Sequence, residues 1–455
     1  MKKVDMFTSM TTEPIPKLMI KLSIPTIISM LVTSFYNMVD SFFVGMLDDT
    51  AATAAVGVAF SLMSIIQATG FFFGQGSGNY ISRVLGAKKE NEARTMASSG
   101  FFWSMVFGLL ITVVGLAFCR PFAYLLGATD SCIDYTVSYM TYILIGSPIM
   151  TSSIVLNNQT RFQGNAFYAM IGIVSGAVVN IALDPIFMFA LGMGVGGAAL
   201  ATIISQCISF VLLFIGTERS GGIKIRPKNF SPKLVYLKEI SRGGFPSLCR
   251  QGLSSVSVIC LNNVAGNLGG DAAIAAFGIV SRIMMFANSA IIGFGQGFQP
   301  ICGYNYGAKK YSRVIEAFWF SVKYSTVFLV FAAVLMFIFA PDLVLLFRKG
   351  DPAVTEIGTF ALRVQCCGMP LYALIVVVNM MLQSAGKALS ASVVAAARQG
   401  MFLIPSILLL SALFDLTGLQ FAQTTSDVLS FALALPLGLA FLKEMKKEIE
   451  KNEAD

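Results

Sequence analysis

The sequence contains no histidine, although it is 455 residues long. Histidine is the usual general base, the usual proton carrier near neutral pH and the commonest metal ligand. Any proton chemistry must therefore depend on carboxyl groups. The eight cysteines form no CxxC pair and lie mostly in apolar stretches, where cysteine behaves as a small hydrophobic residue. Disulfides and metal clusters are not expected.

Charged residues are scarce as well. They make up 12% of the chain, and hydrophobic residues make up 56%, whereas about 25% of an ordinary soluble domain is charged. Apolar stretches of about 20 residues, enough to cross a bilayer, recur along nearly the whole length. The pattern predicts an all-α polytopic membrane protein with about twelve transmembrane helices, at 18–46, 52–78, 93–118, 133–156, 162–190, 194–217, 239–268, 272–302, 314–340, 353–383, 389–413 and 417–442.

The few charges are distributed unevenly between the two sides of this predicted helix array. Lysine and arginine are concentrated in the central connection, which includes Lys224 and Lys238, and in the turns after the second and eighth helices. Aspartates such as Asp130 and Asp271 lie in the loops of the other side. By the positive-inside rule, both termini face the cytoplasm. We expect a multi-pass protein of the cell inner (plasma) membrane, and topology explains the net charge of +8 without nucleic-acid binding.

The chain repeats itself at a spacing of 221 residues. Gly86-Ala87-Lys88-Lys89 returns at 307–310, Gly74-Gln75-Gly76 returns at 295–297, and Pro25 returns as Pro246. Six predicted spans in each copy mean that both copies enter the membrane in the same direction, with a central cavity between two pseudo-symmetric lobes, an architecture typical of alternating-access carriers. We predict a first six-helix lobe at 1–217, a cytoplasmic linker at 218–238, a second six-helix lobe at 239–442 and a cytoplasmic tail at 443–455.

Two carboxylates lie inside predicted helices of the first lobe. Asp40 belongs to the first span, where an ionised group costs roughly 2.5–3.5 kcal/mol at the helix centre. Asp184 follows Asn180 by one helical turn and precedes Pro185, which frees a backbone carbonyl. Together with Asn37 and Thr202, these groups could form an oxygen-rich site for a proton or Na⁺. Alternatively, Asp40 is satisfied by structural hydrogen bonds and Asp184 closes its helix near the lipid interface.

The second lobe offers no equivalent carboxylates, because position 40 corresponds to Leu261 and position 184 to about Pro405. Cation coupling is therefore expected in the first lobe. Arg250, Arg282 and Arg363 lie in or near spans of the second lobe, and structural pairing or snorkelling is favoured over substrate contact.

Two features bear on helix packing and on a substrate cavity. The stretch 74–78 resembles a phosphate-binding loop, but no Lys-Ser/Thr follows, so close packing of small residues is favoured. The 23 methionines and 38 phenylalanines are compatible with an adaptable apolar cavity. Tyr36, Asn157 and Met284 are our candidate substrate contacts.

The paired motifs, the Asn37-x-x-Asp40 segment and the Asn180-x-x-x-Asp184-Pro185 segment resemble the multidrug and toxic compound extrusion (MATE) family, over essentially the whole chain. Within it, the sequence is similar to the prokaryotic branch related to DNA-damage-inducible efflux proteins. The resemblance implies a first-lobe site at Asp40, Asn180, Asp184 and Thr202, with Tyr139 in the same network. It also implies export of amphipathic, often cationic drugs and dyes in exchange for inward H⁺ or Na⁺. No other cofactor and a monomer in membrane lipid are expected.

Three rival functions remain open at this point. The first is a flippase for lipid-linked oligosaccharides or cell-wall precursors, which favours a strongly cationic cavity and is weakened by the few intramembrane arginines. The second is a membrane enzyme, disfavoured because the chain has no histidine, no paired catalytic carboxylates and no metal motif. The third is a channel, for which no selectivity-filter sequence is found.

Overall fold

The computed structural model describes residues 6–47, 49–219, 221–347 and 351–454, and these are helical almost throughout. The α-helices are α1 Met6–Thr12, α2 Ile15–Gly45, α3 Thr50–Gly86, α4 Glu90–Ala117, α5 Cys119–Leu125, α6 Ile133–Phe162, α7 Ala166–Pro185, α8 Gly194–Arg219, α9 Leu234–Gly307, α10 Tyr311–Ile338, α11 Ala340–Phe347, α12 Pro352–Ser384, α13 Ala388–Ala396 and α14 Leu403–Ala454. Single π-helical turns follow α7 at Ile186–Ala190 and α13 at Ala397–Met401, and a short 3₁₀ turn lies at Pro227–Asn229.

Two of these helices are too long for a single crossing. The 74 residues of α9 would extend about 110 Å, against a hydrocarbon core of about 30 Å. The backbone leaves helical geometry at Gly270 in α9 and at Phe414 and Asp415 in α14. In the described part of the chain, ten helical stretches are long and apolar enough to cross a membrane, and these two breaks raise the number of crossings to twelve. The prediction of an all-helical protein with about twelve spans is confirmed.

The repeat seen in the sequence has a counterpart in backbone geometry. Lys88 and Lys309, in the two Gly-Ala-Lys-Lys turns, both have positive φ, 60° and 57°. The residue after each donates its N–H back across the turn over 2.8 Å. Gly164 and Gly386, after α6 and α12, have φ of 89° and 81°, which glycine adopts without steric cost. Two lobes of the same construction result, while the exact limits proposed at 217 and 238 stay predictions.

Helix α2 contacts both lobes. Its first turns, from Ile15 to Leu22, pack in the apolar core of the second lobe. Further along, the Thr26 hydroxyl donates to the Gly293 carbonyl over 2.6 Å, and the Ser34 and Ser289 hydroxyls lie 2.6 Å apart. The last part of α2, where Asp40 lies, belongs to the first lobe. A change at that end of the helix can therefore be transmitted to the second lobe.

The two lobes meet closely at the end of the molecule that carries the Gly-Ala-Lys-Lys turns. A Cβ atom at Gly86 would overlap with the Tyr304 carbonyl oxygen, and one at Gly307 with the Arg83 carbonyl oxygen. Arg83 also forms an ion pair with Glu239 of the second lobe at 3.4 Å. This end of the central cavity is closed.

Candidate functional site

Asp184, Asn180 and Thr202 form a buried cluster between α7 and α8. Asn180 and Asp184 lie one turn apart on the same face of α7, so their side chains meet. The Asn180 Nδ2 atom donates to Asp184 Oδ1 over 3.2 Å and lies 3.5 Å from the Thr202 hydroxyl oxygen. All three residues are at most 3% exposed. A π-helical turn follows Pro185, so the helix does not end at Asp184.

Asp40 of α2 approaches this cluster closely enough for the two carboxylate charges to interact. Within the described residues, three buried oxygen atoms of the group have no hydrogen-bond donor, namely Asp40 Oδ1, Asn180 Oδ1 and Asp184 Oδ2. A buried acceptor without a donor is costly, and two carboxylates near each other repel. The arrangement has the chemistry of a site that takes up a cation.

Two tyrosines border the carboxylates. Tyr139 of α6 is fully buried, and its hydroxyl lies 3.9 Å from the Met63 sulfur. Tyr36 of α2 lies close enough to Asp40 and Asp184 to interact electrostatically with both carboxylates. Helices α2, α6, α7 and α8 therefore bring the first-lobe candidates together.

A cavity of about 300 Å³ extends from this cluster to the second lobe. Tyr36, Asn37, Asn157, Asn180 and Thr202 all line it. The Asn157 side chain also donates to the Ala169 carbonyl over 2.9 Å, which joins α6 to α7.

The third candidate substrate contact, Met284, lies away from this cavity. It is buried in the apolar core of the second lobe, whereas its neighbour Met285 faces the cavity. Helical geometry explains the difference, because adjacent residues point about 100° apart around a helix axis. The assignment of Met284 as a cavity residue is therefore corrected to Met285.

Sequence reasoning missed Arg161, which lines the cavity and is 2% exposed. Its guanidinium donates to Gln296 of the second lobe through Nη1, and to Asn158 over 2.7 Å through Nη2. The predicted fourth span ended at 156 because the following polar run reads as a loop. Helix α6 continues to Phe162, and its polar side chains are buried and hydrogen-bonded. The available signal was an arginine just beyond a long apolar stretch.

Sequence reasoning also missed a buried ion pair in the second lobe. Asp427 lies 2% exposed in α14 and forms an ion pair with Arg398 at 2.7 Å. Gln423 donates to the same carboxylate oxygen over 3.1 Å. The Arg398 guanidinium also lies 3.8 Å from the centre of the Tyr372 ring. Asp427 is thus already neutralised, in contrast to the first-lobe pair.

The arginines considered in the second lobe occupy different surroundings. Arg250 lines the central cavity. Arg363 donates to the Phe337 carbonyl over 3.3 Å and lies over the Phe337 ring. Arg282 is exposed on the surface of α9.

Comparison with known proteins identifies the family. The sequence model of the MatE family matches residues 25–186 and 246–409, one segment in each lobe. The chain is 30% identical over 436 residues to the multidrug export protein MepA of Staphylococcus aureus strain N315, covering 95% of both chains. Among solved structures, it is similar to a MATE protein in complex with MaL6, with 26% identity and a TM-score of 0.93, over 98% of this chain and 100% of that one.

A second solved structure has the outward-facing conformation of a multidrug resistance MATE family transporter of the MOP superfamily. It is 25% identical, with a TM-score of 0.92, over 98% of this chain and 100% of that one. The matches extend over both lobes and nearly the full length. The chain therefore belongs to the multidrug and toxic compound extrusion family, whose members are ion-coupled antiporters of the membrane and not enzymes.

Proposed function

We propose that this multidrug efflux transporter exports amphipathic drugs and dyes by antiport, with H⁺ or Na⁺ as the inward-moving ion. The proposal rests above all on the three buried acceptor oxygens of Asp40, Asn180 and Asp184 that lack donors. A proton on one carboxylate would supply a donor to the cluster. A Na⁺ ion would find carboxylate, amide and hydroxyl oxygens, which are the ligand types that hard cations prefer.

The coupling step is proposed to act through α2. A cation at Asp40 and Asp184 would relieve the repulsion between their charges and draw the end of α2 towards α7. The other part of α2 is held against the second lobe by Thr26 and Ser34. Binding of the ion at one end of the helix would thus alter the wall of the cavity that is shared by both lobes and release the drug.

The direction of transport follows from the proposed orientation. The closed end carries the basic Gly-Ala-Lys-Lys turns, and the positive-inside rule assigns that end, with both termini, to the cytoplasm of a plasma membrane. The cavity would then face outwards in this conformation. Similarity to an outward-facing MATE transporter supports this assignment. In alternating access, the ion would enter and the drug would leave in this state.

Organic cations are proposed to be among the substrates, and the protein is proposed to work as a monomer within membrane lipid. Uncharged polar side chains form much of the cavity wall, including Thr33, Asn37 and Ser153, with apolar surface from Phe71 and Met150. Such a mixed lining accepts amphipathic compounds of varied shape.

The test is efflux of a fluorescent cationic dye from inverted vesicles, with Na⁺ and pH gradients imposed separately. Wild type should transport the dye with only one gradient, and Asp40→Asn should abolish that dependence while remaining folded. Asp134→Asn serves as the control, because that side chain is exposed and forms a surface ion pair with Arg120 across 3.3 Å. Gradient-dependent efflux by Asp40→Asn at the wild-type rate would refute the assignment.

A further inference from the structure

The central cavity carries positive charge and no negative charge among the residues that line it. Its lining includes Arg161 of the first lobe and Arg250 of the second, together with polar and apolar side chains but no aspartate or glutamate. Asp40 and Asp184 are not among the lining residues. A cavity that handled only cations would have no use for two guanidinium groups.

Neither arginine is neutralised within the described part of the chain. Arg161 donates through Nη1 and Nη2 to neutral amides, and its buried Nε has no partner. Arg250 is half-buried, with no ion pair or hydrogen bond to a described residue. Both guanidinium groups line the same cavity, where their like charges repel each other.

Arg398 is a buried arginine of the same protein that is paired with a carboxylate. That side chain is 7% exposed and is paired with Asp427 at 2.7 Å. A buried charge is ordinarily paired in this way because an unpaired one costs several kcal/mol. The buried Arg161 has no such partner among the described residues, and both it and the half-buried Arg250 face the space between the lobes.

We propose that Arg161 and Arg250 form an anion subsite that binds the carboxylate of amphipathic substrates. This assignment rests on the proposed drug export and adds to its substrates a class of compounds that bear a carboxylate, chiefly zwitterions. A guanidinium matches a carboxylate geometrically and gives short, charge-assisted hydrogen bonds. The apolar body of the substrate would lie against Phe71, Ile154 and Met285, which line the same cavity.

The subsite also links the two lobes. Arg161 belongs to α6 and already donates to Gln296 on the other lobe, while Arg250 belongs to α9. An anion that binds both Arg161 and Arg250 would keep its full affinity only while the two lobes are close to each other at these residues. Separation of the lobes would weaken its binding. The cavity of about 300 Å³ is at the lower end of drug-sized sites, which are about 300–1,000 Å³, and favours a small carboxylate over a lipid-linked sugar pyrophosphate.

The test uses tetramethylrhodamine and its methyl ester, which differ only in whether the carboxylate is free. Binding to the full-length purified protein is measured by fluorescence anisotropy. We expect the free carboxylate dye to bind about tenfold more tightly than the ester, as charge-assisted hydrogen bonds should provide. In Arg250→Gln this preference should disappear, because the free carboxylate dye should bind more weakly while the affinity for the ester stays unchanged. Arg250→Lys should retain part of the preference.

Arg363→Gln is the matched control, because it removes a second-lobe arginine outside the cavity, and it should keep the wild-type preference. Arg250 has no hydrogen bond to any residue that the structure describes, so its variants should fold. Equal affinity of the two dyes for wild type, or an unchanged preference in Arg250→Gln, would overturn the subsite. Displacement of the dye by an isoprenyl pyrophosphate more readily than by a simple carboxylate would overturn it in favour of a lipid-linked substrate. Loss of gradient-driven ester efflux in Asp40→Asn reports on the antiport proposal independently.

Discussion

The hydrogen-bond partners of Asp40, Asp184 and Asp427 distinguish a structural carboxylate from a candidate ion site. Asp427 receives an ion pair and an amide hydrogen bond on one oxygen. Asp184 receives one amide hydrogen bond, on Oδ1. Among the described residues, neither Asp184 Oδ2 nor Asp40 Oδ1 has a donor. The difference lies in the neighbours, and no property of an aspartate in a sequence would reveal it.

Thr202 should tune ion affinity rather than folding. Its hydroxyl lies 3.5 Å from Asn180 and is the oxygen that α8 adds to the cluster. We expect Thr202→Val to raise the ion concentration needed for half-maximal efflux about two- to tenfold, since one hydrogen bond contributes about 0.5–1.5 kcal/mol. Dye efflux at graded Na⁺ or H⁺ concentration measures this, and Thr202→Ser is the control. An unchanged concentration dependence in Thr202→Val would remove Thr202 from the site.

At the scale of helices, the repeat extends to single hydrogen bonds. Asn157 of α6 donates to the Ala169 carbonyl over 2.9 Å, and Asn379 of α12 donates to the Ala391 carbonyl over 2.7 Å. The donor and acceptor of the second pair each stand 222 residues after those of the first. Each bond connects two consecutive spans at the same place in its lobe. Asn157 therefore stabilises the contact between α6 and α7 as well as lining the cavity.

Removing either asparagine should therefore destabilise the protein to a similar degree. Asn157→Ala and Asn379→Ala each remove a buried hydrogen bond between two spans, which contributes about 0.5–1.5 kcal/mol. Thermal unfolding in detergent should show comparable decreases in midpoint for the two variants. Asn165→Ala is the control, since that helix-capping side chain makes no capping hydrogen bond. A large decrease for one variant alone would show that the two hydrogen bonds do not contribute equally to the stability of their lobes.

The sequence was sufficient for the helices but not for where they bend or what they enclose. Apolar length and the repeat placed the spans, because a bilayer imposes a minimum length on each crossing. The end of α6 was placed too early, since hydropathy cannot distinguish a polar loop from polar side chains buried between helices. The contacts of Asp427 with Arg398 and of Arg161 with Gln296 join segments far apart in the chain, so a single sequence carries no signal for them. Asp40 and Asp184 were found because a carboxylate within a span is rare.

At the scale of the whole molecule, glycines allow the two lobes to close. Gly86 at the end of α3 lies against the Tyr304 carbonyl, and Gly307 at the end of the α9 stretch lies against the Arg83 carbonyl. The two contacts are related by the repeat, so each lobe supplies a glycine to the backbone of the other. Because the opposing atoms are backbone, they cannot move aside as a flexible side chain would. The closed end therefore depends on the absence of a side chain at both positions.

Gly86→Ala and Gly307→Ala should accordingly disfavour the closed end. Overpacking costs about 1–3 kcal/mol, which corresponds to a change of about five- to 150-fold in the ratio of closed to open states. We expect faster deuterium uptake in segments 79–86 and 300–307 and slower dye efflux. The controls are Gly57→Ala and Gly278→Ala, another pair related by the repeat, where a Cβ would meet nothing within 4 Å. If the variants at 86 and 307 exchange and transport like these controls, the lobes do not need close glycine contact to shut this end of the cavity.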